Sequence, residues 1–176
     1  MPLKALRLFQ KTTTPLQREH PRQYRLRMIA QCLVAGLFIL AVYLVADALG
    51  SGLVGASIGA STFIAFAYPQ AESSHPRYMI GGYATSILAG AVCSGLLSLL
   101  GGAGAAFPLH AVLCALAVFL TVFCMVLLDF QHPPAAALAI FITESSSPLV
   151  AGLFSLVAVV LLCLLKRAMK KILVNL

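Results

Sequence analysis

Charge is what this chain has least of. Only 10% of its 176 residues are Asp, Glu, Lys or Arg, and 61% are hydrophobic. A soluble domain carries about 25% charged and about 45–50% apolar residues. From Tyr78 to Leu128 there is no charged residue at all, and further uncharged runs cover Ile29–Ala46, Leu53–Tyr68 and Leu149–Leu165. A soluble fold of this length has too little interior to hide that much apolar surface. Composition therefore predicts a polytopic helical membrane protein with a single membrane domain.

Signatures of metal and cofactor chemistry are also missing. We find no nucleotide-binding loop, no haem or zinc spacing and no soluble regulatory domain, so no cofactor is expected. Any transport would then follow gradients of solutes or protons, or be passive. The five cysteines (Cys32, Cys93, Cys114, Cys124, Cys163) fall inside apolar runs, are odd in number and lack metal-ligand spacing. They are expected to be small buried hydrophobes.

What charge there is lies at the two ends. Lys4, Arg7, Lys11, Arg18, Arg22, Arg25 and Arg27 precede the first apolar run, Lys166, Arg167, Lys170 and Lys171 follow the last, and only Arg77 lies between. This placement accounts for the net charge of +7 without any nucleic-acid partner. By the positive-inside rule both termini are expected in the cytoplasm, with an even number of crossings of a plasma membrane, the bacterial inner membrane. Part of the charge is available to anionic lipid. The boundaries expected are a basic cytoplasmic tail over 1–28, a membrane domain over 29–169 and a short cytoplasmic tail over 170–176. Ala46-Asp47-Ala48 loosely resembles a signal-peptidase site. The run before it is longer than a typical h-region of about 7–15 residues, which predicts a retained helix.

Within the membrane domain two similar halves, 29–100 and 109–169, follow one order. Each has a long helix, a short stretch, a polar break and a second long helix. The breaks Glu72-Ser-Ser-His-Pro and Glu144-Ser-Ser-Ser-Pro match in place, and their acids and serines are expected to cap helices or turns. The short stretches carry the mechanistic weight. As helices at about 1.5 Å per residue, Leu53–Tyr68 makes about 24 Å and Pro133–Thr143 about 16 Å, against a hydrocarbon core of about 30 Å. The fold class expected is all-α, with four long transmembrane helices plus two short broken or re-entrant segments. Counting the short segments as crossings gives six, halves of opposite orientation and Arg77 inside. Treating them as re-entrant gives four and Arg77 outside. Short Gly/Pro-interrupted segments at matching places in two halves point to a transport site.

His132-Pro133-Pro134 marks that site most sharply. Prolines fit the first turn of a helix, so Pro133 and Pro134 predict a helix start with His132 immediately outside it. An imidazole at membrane depth is by default a functional candidate. Asp129, three residues earlier, is a candidate to orient it.

Three blocks carry a family resemblance: Gly55-Ala-Ser-Ile-Gly-Ala-Ser61, His75-Pro-Arg-Tyr-Met-Ile-Gly-Gly82 and His132-Pro-Pro-Ala-Ala136. In this order and spacing they closely resemble the HPP family of integral membrane proteins over roughly residues 25 to 170. The resemblance implies four spanning helices and transport of a small inorganic anion, nitrite foremost. Ala56 stands where that pattern usually has glycine, Tyr78 where Asn is common and Tyr83 where His is common, and no glycine follows Pro134-Ala135. These departures bear on the substrate.

An anion also suits the physics of the short segments. A helix N-terminus carries about +0.5 charge and unpaired N–H groups, which makes it an anion site. The expected pathway therefore joins His132, Pro133 and Pro134 to Ser57, Gly59, Ser61 and Thr62, with Arg77 at a mouth and His132 available to move a proton. For Gly55–Ser61 the plainer reading is close helix packing through small residues. Gly81, Gly82 and Gly90 would likewise permit a homo-oligomer. Two readings compete with transport. Gly55-Ala-Ser57-Ile-Gly59 matches Gly-x-Ser-x-Gly, and with His132 it would make an intramembrane serine hydrolase, although the strand–turn–helix setting of that motif is absent. A structural membrane subunit would need no converging helix ends. No enzyme activity is expected.

Overall fold

In a computed structural model, residues 20–49, 54–101 and 107–175 are described. The expectations for residues 1–19 lie outside them, as does the stretch 102–106 between the two halves. The elements are α1 (Pro21–Ala48), α2 (Val54–Ala67), a 3-10 turn (Glu72–Ser74), α3 (Pro76–Leu100), α4 (Phe107–Leu127), α5 (Pro133–Glu144) and α6 (Pro148–Ala168). α1, α3, α4 and α6 are long and apolar enough to cross a membrane. With 14 and 12 residues, α2 and α5 measure only about 21 and 18 Å.

Prolines set most of the starts. α1, α3, α5 and α6 each open on one, where the missing N–H costs nothing and the fixed φ suits the helix. This explains why α1 begins at Pro21 rather than Ile29. The apolar run marks depth in the bilayer, whereas Pro21 starts the helix, and Arg22, Arg25 and Arg27 form its first two turns. No side chain caps any of these four starts. The serines after Glu72 and Glu144 hold turns rather than helix starts. Ser74 Oγ bonds the Pro69 and Ala71 carbonyls, and Ser145 Oγ accepts the Ser147 N–H at 3.2 Å.

α4 stops in a Schellman motif. Asp129 takes the left-handed φ of 54°, and the Phe130 and Asp129 amides donate back to the Met125 and Val126 carbonyls. Glycine is usual at that position, and Asp is among the few other residues that tolerate it.

Neighbouring residues give the direction of each helix. Gly55 lies against Tyr43 and Phe66 against Gln31, so α2 runs back along α1. Gly82 touches Met125 near the end of α4, so α3 and α4 are antiparallel. Gly82 also meets His132, and Gly90 meets Ala139 and Ile142, so α5 runs parallel to α3. Gly152 against Ile87 and Cys163 against Met79 make α6 antiparallel to α3. The chain thus reverses at every connection. Each half has the order long–short–long, and the two halves run in opposite directions. Arg77 lies at the end of the bundle where the described chain begins and ends.

α3 is central and α1 peripheral, with Leu33, Leu37, Leu40 and Leu44 of α1 all exposed on its outer face. Cys93 and Cys163 are buried as expected, but Cys32 is exposed on α1 and Cys114 and Cys124 are half-buried. Gly81, Gly82 and Gly90 face Phe130, His132 and Ile142 of the same chain, so they serve close approach within the bundle.

One buried polar residue ties the ends together. Gln31, on α1, is fully buried and donates to the Phe66 carbonyl at 2.8 Å and the Val174 carbonyl at 3.0 Å. Its carbonyl oxygen accepts the Val174 N–H at 3.0 Å. Gln31→Leu leaves those backbone groups unpaired at about 1–3 kcal/mol each. We expect a lower Tm in detergent and faster carboxypeptidase trimming of residues 170–176. Unchanged trimming would contradict this anchor.

Candidate functional site

The two short helices meet near their N-terminal halves, α5 backed by α3 and α2 by α1 and α6. Ser57 and Ser61 lie one turn apart on α2, so both point at the same neighbour. Ser57 Oγ donates to the Pro134 carbonyl at 2.8 Å, and Ser61 Oγ meets His132 Nε2 at 2.8 Å. Tyr83 of α3 brings its hydroxyl 2.9 Å from Ser61 Oγ and 3.2 Å from Ser57 Oγ. Ser61, Tyr83 and His132 are fully buried and Ser57 is 2% exposed. A cluster of hydroxyls and one imidazole therefore sits inside a bundle of apolar helices.

Hydrogen-bond logic assigns the tautomer. His132 Nδ1 faces the Ser73 carbonyl at 2.8 Å, and a carbonyl only accepts, so Nδ1 carries the hydrogen. In the neutral ring Nε2 then accepts from Ser61, and Ser61 accepts from Tyr83. If Nε2 gains a proton, Ser61 can turn its hydrogen to the Ser57 carbonyl, 3.1 Å away. Both protonation states of the ring therefore find partners with no more than hydroxyl rotation.

Close approach of α3 and α5 makes this possible. A Cβ on Gly82 would lie 2.8 Å from His132 Cβ and 3.2 Å from the Phe130 carbonyl oxygen. Ser86 Oγ, one turn on, donates to the Ala135 carbonyl.

The donors differ in kind from those expected. Pro133 and Pro134 have no N–H, and the Ala135 amide is bonded to the His132 carbonyl at 3.0 Å. Of the four amides that usually make a helix N-terminus an anion site, only that of His132 itself remains. The α5 dipole still points its positive end here, but the groups able to grip a ligand are side chains.

Four expected residues, Ser57, Ser61, His132 and Pro134, come together. Pro133 starts α5, which carries Pro134 and places His132 at its N-cap. The other expected residues do not join this cluster. Thr62 Oγ1 bonds the Ile58 carbonyl at 2.8 Å. A Cβ on Gly59 would have ordinary room, 3.9 Å from Ile39 Cδ1. Asp129 does not orient His132, which the Ser73 carbonyl does instead, because the turn after α4 sends the Asp129 carboxylate outward to Arg77. That pair is 3.7 Å apart with both side chains more than half exposed, which makes it worth little. Arg77 also lies 5.7 Å from the Phe130 ring centroid, at the bundle end. Ser57 is not hydrogen-bonded to His132, so the serine–histidine contact is made by Ser61.

Sequence reasoning missed Tyr83, Ser73 and Lys166 as partners. Tyr83 did carry a signal, since it replaces the histidine common in the resemblance. Ser73 acts through its carbonyl, which no side-chain pattern reveals. Lys166 Nζ, near the end of α6, donates to the Ser74 carbonyl at 2.6 Å and to Ser74 Oγ at 2.7 Å. Among the described residues no group of three His, Cys, Asp or Glu gathers as a metal site.

Four long apolar helices, two short ones and a buried hydroxyl–imidazole cluster define an integral membrane protein with a polar centre. The chain belongs to the family described as HPP, transmembrane region, whose model matches residues 20–175. No curated protein and no solved structure matches it.

Proposed function

We propose that this protein moves a small inorganic anion, nitrite, across the plasma membrane through the His132–Ser61–Tyr83–Ser57 cluster. The observation that carries the reading is the cluster's position. Polar groups at this depth are costly, and these lie where two helices too short to span the bilayer meet. Tyr83, Ser57, Ser61 and the His132 ring supply hydrogen-bond donors, and the positive end of α5 favours negative charge. Because the ring finds partners in both protonation states, a proton can accompany the anion. The cationic ends face the cytoplasm by the positive-inside rule, which puts both termini on the inner side of a bacterial inner membrane. Membrane lipid surrounds α1, and the role is non-enzymatic. Assembly with further copies is compatible with the exposed outer face of α1.

A hydrolase reading would rest on the 2.8 Å contact of Ser61 with His132 rather than on Ser57. Labelling of Ser61 by a fluorophosphonate probe would favour it over transport.

Ligand-dependent melting tests the binding half of the proposal. An anion present at 100 times its Kd stabilises the folded state by about 2.7 kcal/mol. Nitrite should raise the Tm of the purified protein in detergent while sulfate at equal ionic strength does not. A Tm that rises only with another small anion would reassign the substrate. A Tm indifferent to every anion would count against the site.

A further inference from the structure

Lys166 stands out once the cluster is in place. It lies in the last turn of α6, half-buried, and its ammonium rests on the carbonyl and hydroxyl of Ser74. Its neighbour in the chain of contacts is His132, whose Nδ1–H rests on the carbonyl of Ser73. Two donors from different helices, one of them a full positive charge, thus converge on the carbonyls of adjacent residues. Among the described residues the ion pair formed is Arg77–Asp129, and no carboxylate lies within 4.0 Å of Lys166. A partly desolvated cation held by neutral acceptors alone keeps most of its attraction for an anion.

We infer that Lys166 is an anion-binding residue at the cytoplasmic mouth, and that the Ser73 and Ser74 carbonyls hold the places of the oxygens of a small oxyanion. This rests on the transport reading above and extends it. The turn Glu72–Ser74 lies between Pro69 and Pro76 and is fastened by His132, by Lys166 and, at Gln70, by Asn175 Nδ2 at 3.1 Å. When an oxyanion takes over the His132 and Lys166 donors, the two carbonyls turn to water at the mouth and the turn lifts. An ammonium satisfies an oxyanion as a point charge, and arginine keeps the charge while altering the geometry. Ser74→Ala removes one of the two acceptors that hold Lys166, and so frees the lysine.

The test is initial nitrite uptake into proteoliposomes against nitrite concentration, for wild type, Lys166→Met, Lys166→Arg and Ser74→Ala, with the Tm of each. We expect Lys166→Met to raise the half-saturating concentration about tenfold, the equivalent of about 1.4 kcal/mol. Lys166→Arg should stay nearer wild type, and Ser74→Ala should shift half-saturation downward. Wild-type values in a folded Lys166→Met variant would overturn the inference while leaving transport standing. Should Lys166→Met fail to fold, Ser74→Ala decides, since unchanged or higher half-saturation there contradicts a lysine held in reserve. A wild-type protein that takes up no anion overturns both the inference and the transport reading.

Discussion

His132→Asn lowers anion uptake by a factor of about 5 to 150 while the protein stays folded. Asparagine places its amide N–H near the position of Nδ1, so the bond to the Ser73 carbonyl persists, but the group no longer reaches Ser61. Loss of one hydrogen bond in a buried cluster costs about 1–3 kcal/mol, or a factor of about 5 to 150 if the bond acts in the rate-determining complex. His132→Ala removes both bonds from a fully buried site, and should lower the Tm as well as stop uptake. The contrast separates position from chemistry. Wild-type uptake in a folded His132→Asn variant would exclude the imidazole from the pathway.

Gly90→Ala destabilises the bundle, and Gly95→Ala stabilises it. Both glycines lie in α3, five residues apart, on different faces. A Cβ at Gly90 would come 2.7 Å from Ile142 Cβ and 2.8 Å from the Ala139 carbonyl oxygen, whereas one at Gly95 meets nothing within 4 Å. The contact at Gly90 is with backbone, so the whole of α5 must move. Overpacking of this kind costs about 1–3 kcal/mol, partly offset by the gain of about 1 kcal/mol from alanine's helix propensity. At Gly95 only the gain remains. Melting in detergent should separate the two variants by several degrees, at about 2–4 °C per kcal/mol for a chain of this size. Because His132 sits at the start of α5, the Gly90 variant should also lose uptake. Equal Tm values for the pair would show that α3 and α5 do not depend on this close approach.

The helices were largely legible in the sequence because their signals are local. Uncharged runs mark the spans, and Pro76, Pro133 and Pro148 mark starts to within a residue or two. Pro21 is not marked by hydropathy, which reports depth in lipid and says little about where backbone bonding begins. The sequence leaves the directions of the halves open between crossing and re-entrant short stretches, and the contacts Gly55–Tyr43, Gly82–Met125 and Gly90–Ile142 show them opposed. The site was half legible. Ser57, Ser61 and His132 have side chains whose chemistry shows in the sequence, and their convergence needed only that the short helices meet. Backbone partners left no trace there. The carbonyls of Ser73, Ser74 and Pro134 orient His132, Lys166 and Ser57, and any residue type would offer the same oxygen. The free amides expected at the α5 start are not available there, since the two prolines that announce the helix remove those donors.

Nitrite uptake into proteoliposomes with an imposed pH gradient tests the central claim most directly. Uptake should exceed that of empty liposomes, follow the inward proton gradient and fall by a factor of about 5 or more in His132→Asn. Uptake no faster than in empty liposomes, with the protein folded and inserted, would contradict nitrite transport through this cluster.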